Sequence, residues 1–161
     1  MMKSKILHTS KILGTYILFS FLFFGMWEWI QTPFYSEPHK TLNQVVWDRI
    51  HCTGGDILIF LTSILISSLL VRKNLFFSNI VKKEIVLISC IGTGYTALSE
   101  YLNVFVHQSW AYSTLMPLFP FINIGIIPLI QWMILPSIIL YFVKTHIRKS
   151  NKGDHYEYLC R

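Results

Sequence analysis

Glu84–Phe105, EIVLISCIGTGYTALSEYLNVF, is the stretch on which the reading of this chain turns. It is long enough to cross a hydrocarbon core of roughly 30 Å as a helix. Within and just beyond it, Ser89, Thr93, Thr96, Glu100, Asn103 and His107 are separated by four, three, four, three and four residues. That spacing lays all six along one stripe of a helix. A stripe carrying an ionisable group cannot face acyl chains, so the segment is expected to cross a membrane with this seam turned toward other helices. Cys90, Gly92, Gly94 and Ala97 lie beside the stripe, and small residues of this kind let neighbouring helices approach closely.

Three further apolar runs accompany it. Ile12–Gln31 and Phe121–Val143 are full-length spans, and a shorter run at Ile57–Val71 reaches span length when extended outward through Asp56 and Gly55. With 53% hydrophobic residues in 161, the chain lies outside the usual range of soluble domains. The first run follows Lys3, Lys5 and Lys11 but ends in Trp27-Glu28-Trp29 with no small-residue cleavage pattern, so it reads as an uncleaved span. The expected fold is a single all-α domain over 1–161, a four-helix transmembrane bundle with spans at about 12–31, 55–71, 84–105 and 121–143, followed by a basic tail at 144–161.

Orientation follows from the basic residues. With both termini in the cytoplasm, Lys3, Lys5, Lys11, Arg72, Lys73, Lys82, Lys83, Lys144, Arg148, Lys149, Lys152 and Arg161 all fall on the cytoplasmic side, and only Lys40 and Arg49 lie opposite. This is a strong positive-inside asymmetry. The net charge of +6 is therefore explained by topology and anionic lipid, not by nucleic acid. Cys52 (outer), Cys90 (intramembrane) and Cys160 (tail) cannot meet within one chain, which excludes a disulfide framework.

The outer side gathers the chemistry. Thr53-Gly-Gly-Asp56 has the form of a capping box opening the second span, and places Asp56 at a helix N-terminus. On the first span Gly14, Leu18, Phe21, Gly25, Glu28 and Thr32 share one line, which carries Glu28 to the outer end. Asp56, Ser63 and Ser67 share one on the second. Asn123 and Gln131 are the polar residues of the fourth, where Pro128 and Pro136 are expected to free the carbonyls of Ile124 and Trp132. Trp27, Trp29, Trp47, Trp110, Tyr35 and Tyr112 form either an interfacial aromatic belt or stacking surfaces for a ligand.

Three chemistries fit this outer cluster. Glu100, with Glu28 or Asp56 as its counterpart, suits acid/base work on a lipid-soluble substrate, with Asn103, His107, Gln131, Trp110 and Tyr112 binding it. His39, His51 and His107 with the carboxylates suit a metal or proton site, although no HxxxH, HExxH or CxxC spacing occurs and no metal is assigned. The seam also suits docking of another membrane protein's helix, as in an assembly factor or complex subunit. No phosphate loop, nucleophile elbow or cofactor fingerprint is present, so no cofactor is expected.

Trp27-Glu28-Trp29-Ile-Gln31-Thr-Pro33-Phe-Tyr35, Gly55-Asp56, Glu100, Trp110-Ala-Tyr112, Met116-Pro117, Gly125, Pro128 and Gln131-Trp132 together resemble the pattern of small uncharacterised four-span bacterial inner-membrane proteins. That likeness implies a home in the bacterial inner membrane and no particular activity. Glu100, Trp110, Tyr112 and Pro128 also resemble, more faintly, positions of membrane-embedded carotenoid cyclases and hydratases. The carboxylate pair of those enzymes is replaced here by Gln131-Trp132.

Overall fold

The computed structural model describes residues 2–36, 40–76 and 80–159, and describes side chains from Thr9 to Lys149 within those ranges. His39 and Cys160 lie outside the described residues, as do the side chains of Lys3, Lys5, Lys152 and Arg161. The chain is an all-α bundle of four helices: α1 (Met2–Gln31), α2 (Leu42–Leu70), α3 (Lys82–Tyr101) and α4 (Ile126–Leu159). Four segments are long and apolar enough to cross a membrane, Thr9–Phe34, Leu42–Leu70, Lys82–Val106 and Ile126–Lys149, the first and third taking in the helical turn that follows α1 or α3. Around the bundle α1 packs on α2 and α4, and α3 packs on α2 and α4.

Two short strands, β1 (Tyr35–Ser36) and β2 (Ala111–Tyr112), pair antiparallel with Tyr35 opposite Tyr112. They tie the α1–α2 connection to the α3–α4 connection, so both belong to the same end of the bundle. Ser113 reinforces the tie, its amide donating to the Phe34 carbonyl at 3.0 Å and its hydroxyl to that of Pro33 at 2.8 Å. The opposite end holds the α2–α3 turn, where Lys73 Nζ donates to Glu84 Oε1 at 3.0 Å and Lys144 Nζ to the Ile80 carbonyl at 2.9 Å.

Hydrophobic side chains gain little by leaving lipid for one another, so close packing must hold the helices together. Trp132 is the centre of that packing. It is fully buried, with its ring centroid 5.3 Å from that of Phe24, and on α3 it covers Gly92, where any Cβ would collide with the indole. One ring thus joins α1, α3 and α4. Tyr16, Phe60, Ile64, Ile88, Ile139 and Val143 complete the core.

The structure corrects several boundaries. Helix α2 begins three turns before Gly55: Thr41 is its N-cap, its hydroxyl accepting from the Gln44 amide at 3.4 Å while Gln44 Oε1 accepts from the Thr41 amide at 2.8 Å. This is the true capping box. Thr53 lies inside the helix, its hydroxyl donating to the Arg49 carbonyl at 2.7 Å, so Asp56 sits mid-helix and owes nothing to a helix N-terminus. Helix α4 begins at Ile126, after 121–125, and runs on through the tail to Leu159. Asn123 therefore stands in the preceding loop with φ 54°. Pro128 occupies the first turn of α4, where an amide has no intrahelical partner to lose. The Ile124 carbonyl is not freed, because the Phe119 amide donates to it at 2.7 Å.

Beyond Tyr101, α3 widens into a π-helical turn at Leu102–Val106, closed by the His107 amide on the Leu102 carbonyl at 2.7 Å. The added residue turns His107 away from the seam, and its side chain is exposed. The α3–α4 loop then presents Leu115, Phe119, Phe121 and Ile122 outward.

Candidate functional site

The inward faces of the helices meet near the β1–β2 end around three carboxyl groups. On α1 the buried line is Ile12, Tyr16, Ser20, Phe24 and Glu28, not the Gly14-Leu18-Phe21 line read from sequence, whose members are exposed. The two lines converge only toward Glu28. On α3 Thr96 and Glu100 are buried and Asn103 half-buried, as the seam predicts, while Ser89 and Thr93 are only partly covered.

Each carboxyl is held by donors from elsewhere in the chain. Gln31, one turn along α1, donates through Nε2 to Glu28 Oε1 at 2.5 Å, and is itself fixed by the Trp27 indole N–H on its Oε1 at 3.1 Å. Arg49 of α2 reaches Glu28 Oε2 at 3.4 Å, with both side chains more than nine-tenths buried. The Arg49 guanidinium also lies 5.9 Å from the centroid of the Tyr35 ring, within cation–π range. Gln131 of α4, 2% exposed, crosses the bundle to donate to Asp56 Oδ2 at 2.6 Å. The Asp56 carboxyl is also a close neighbour of the Glu28 carboxyl. Glu100 accepts one phenol on each oxygen, Tyr35 on Oε1 at 3.1 Å and Tyr112 on Oε2 at 2.7 Å.

That last pair explains the small sheet: the Tyr35–Tyr112 register sets both hydroxyls over one carboxyl. Burial, and the negative charge of Glu100 beside them, push both phenols above the ordinary tyrosine range. The Trp110 indole N–H approaches Glu100 but falls short of hydrogen-bond geometry.

These groups line one recess of about 440 Å³, within the range of small-molecule pockets. Its wall takes Glu28 and Gln31 from α1, Arg49, Cys52, Gly55 and Asp56 from α2, Thr96, Glu100 and Asn103 from α3, and Pro128 and Gln131 from α4. Lys40, paired with Asp48 at 2.5 Å, and His51 and Ser109 stand along the rim toward the loops. Trp110 lines the recess, whereas Trp29 and Trp47 are 51% and 70% exposed, as members of an interfacial belt would be.

Of the residues singled out in the sequence, Glu28, Asp56, Glu100, Asn103, Gln131 and Trp110 come together in this wall, and Tyr112 joins through Glu100. His107 does not. Among the described residues no group of three or more His, Cys, Asp or Glu converges to hold a metal ion. Arg49 and Gln31 were missed as site residues, and Tyr35 was read only as one of the outer aromatics, belt or stacking surface. Arg49 shares a face with Asp56 seven residues on, a signal that becomes visible only once α2 is started at Leu42. Gln31 stands one turn from Glu28, and Tyr35 has no sequence signal of its role.

The chemistry open to the cluster is hydrogen-bond acceptance and proton exchange. Three carboxyls in unequal surroundings, one beside a guanidinium, one beside an amide and one beneath two phenols, differ in how readily each holds a proton. Fold and recess together define an all-helical, multi-pass membrane protein. No family model, curated protein or solved structure compared with the chain matches it.

Proposed function

We propose that this chain is a bacterial inner-membrane protein whose recess opens toward the periplasm, binds a small or lipidic ligand, and exchanges protons with it through Glu28, Asp56 and Glu100. The observation that carries the reading is the convergence of carboxyls from three different helices on one open volume of about 440 Å³. Carboxyls are costly inside a bilayer and are retained mainly where they serve a polar ligand, a proton or a partner. The positive-inside asymmetry supports placing the β1–β2 end outside, with both termini in the cytoplasm. Glu100 is the residue we assign as principal proton donor or acceptor, because its two oxygens are held in place by phenols instead of being neutralised by a described cation.

The test is native mass spectrometry of the protein extracted with its surrounding membrane into polymer nanodiscs. A discrete small-molecule or lipid adduct on the wild type, reduced at least tenfold in Glu100→Gln and Asp56→Asn variants of unchanged thermal midpoint, is the expected result. A bare wild-type monomer would overturn the reading. A stoichiometric membrane-protein partner, with no small adduct, would replace it with the assembly-subunit alternative.

A further inference from the structure

The recess is open at the loop end, where Lys40, His51 and Ser109 are exposed, and also along one side between α2 and α3. Glu28, Gln131 and Glu100 at its back are 3%, 2% and 6% exposed, whereas Tyr95 at its α3 edge is 56% exposed. Cys52, Gly55 and Ile59 along the α2 edge and Ser99 along the α3 edge are only half-buried. A Cβ built on Gly55 would meet nothing within 4 Å, in contrast to Gly92, which is sealed by Trp132. The Lys73–Glu84 pair links the α2–α3 turn to α3 at the far end, and toward the other end both helices contribute to the recess wall. Ile59 and Tyr95 each lie 11 residues from the end of their span, Leu70 and Val106 respectively, about 16 Å along the axis. The slot therefore reaches about the middle of a bilayer, where its open side meets acyl chains, while its rim at the loop end meets water.

A polar cavity open to hydrocarbon is stable only when something satisfies its polar groups. The occupant that fits has a polar head for the back wall and an apolar body for the slot. The head is defined by what the wall lacks. Asp56 and Glu100 receive only neutral donors, Gln131, Tyr35 and Tyr112, among the described residues. Tyr35, Tyr95 and Trp110 add aromatic surface of the kind that favours a cationic nitrogen. Resting on the reading above, we infer that the ligand is a membrane-dissolved amphiphile with a protonated amine head, entering sideways between α2 and α3 and seating the amine between Asp56 and Glu100.

The experiment uses the full chain in phosphatidylglycerol nanodiscs, which contain no amine, and native mass spectrometry to count retained molecules. The probes are octadecylamine, octadecanol, butylamine, and phosphatidylethanolamine at one-tenth of the lipid. Retention of one octadecylamine or one phosphatidylethanolamine is expected, and which of them binds tells a free lipophilic amine from a bilayer aminophospholipid. Octadecanol and butylamine should be retained at least tenfold less. The double variant Asp56→Asn/Glu100→Gln should lose the amine, controlling for attraction to the anionic disc. So should Gly55→Trp, whose side chain enters the slot, and wild-type Cys52 alkylated in the folded protein in a Cys90→Ser/Cys160→Ser background.

Equal retention of octadecanol would overturn the amine head, and equal retention of butylamine would overturn sideways entry. A natural adduct from the extracted membrane that carries no amine would sink this inference while leaving the binding recess standing.

Discussion

Placing a methyl group at Gly92 tests whether the Trp132 contact positions the site. A Cβ there would overlap the six-membered ring of an indole that is fully buried and already packed at a tilt against Phe24. The ring cannot retreat without moving α1, so Gly92→Ala should cost about 1–3 kcal/mol, the usual penalty for overpacking a filled interior. Trp132→Leu should cost on the order of 3 kcal/mol by opening a cavity. It orphans nothing, because the indole nitrogen has no partner among the described residues. In the double variant the new methyl occupies space the indole has left, so most of the alanine penalty should vanish, a coupling of about 1–2 kcal/mol. Unfolding followed by circular dichroism in mixed dodecyl sulfate and dodecyl maltoside measures all four corners of the cycle. Costs that add to within about 0.5 kcal/mol would refute the contact. Glu100 lies two turns above Gly92 and Gln131 beside Trp132, so Gly92→Ala should also weaken ligand retention, and the double variant should restore it in part.

Gln131→Leu removes the donor to Asp56 and leaves a polar group short of a partner, so it should lower stability by about 1–3 kcal/mol in the same unfolding assay. Adding Asp56→Leu should recover part of that loss. Tyr112→Phe should cost about 1 kcal/mol and more than Tyr35→Phe, since the Tyr112 hydroxyl makes the shorter bond to Glu100; the reverse order would contradict the geometry. Both phenols are raised above their unfolded values, so the folded state keeps their protons while unfolded tyrosines ionise near pH 10. Their stabilising contribution is present below that pH and is lost as pH rises through the folded values. Thermal midpoints should therefore fall above about pH 10, and less steeply in a Tyr35→Phe/Tyr112→Phe variant.

Much of the bundle was legible because a bilayer imposes length, and four apolar runs of that length admit few folds. The boundaries were harder. Asp48, Arg49 and His51 interrupt the apolar run of α2, and the eye stops there, although Thr41-Leu-Asn-Gln44 carries the capping signature that starts the helix. That error hid Arg49, the cation that faces Glu28. The α1 line failed for a different reason. On a helix surrounded by lipid as well as protein, apolar residues occupy every face, so periodicity of glycines and leucines does not show which side is inward. Only Glu28, the residue that could not be outside, was placed correctly. The contact of Tyr35 with Glu100 could not be found, because it depends on a two-residue sheet that pairs Tyr35 with the distant Tyr112.

The choice between polar glue and a site turns on what the cluster's hydrogen bonds leave over. Each carboxyl draws donors from other parts of the chain, which holds the helices together. A carboxylate offers about four acceptor positions, and among the described residues each of these carboxyls meets one or two side-chain donors. Gluing alone would be served as well by amides, without the cost of ionisable groups at membrane depth and without an adjoining volume of about 440 Å³. Acceptor capacity left over beside an open volume supports the proposed ligand over a neighbouring helix.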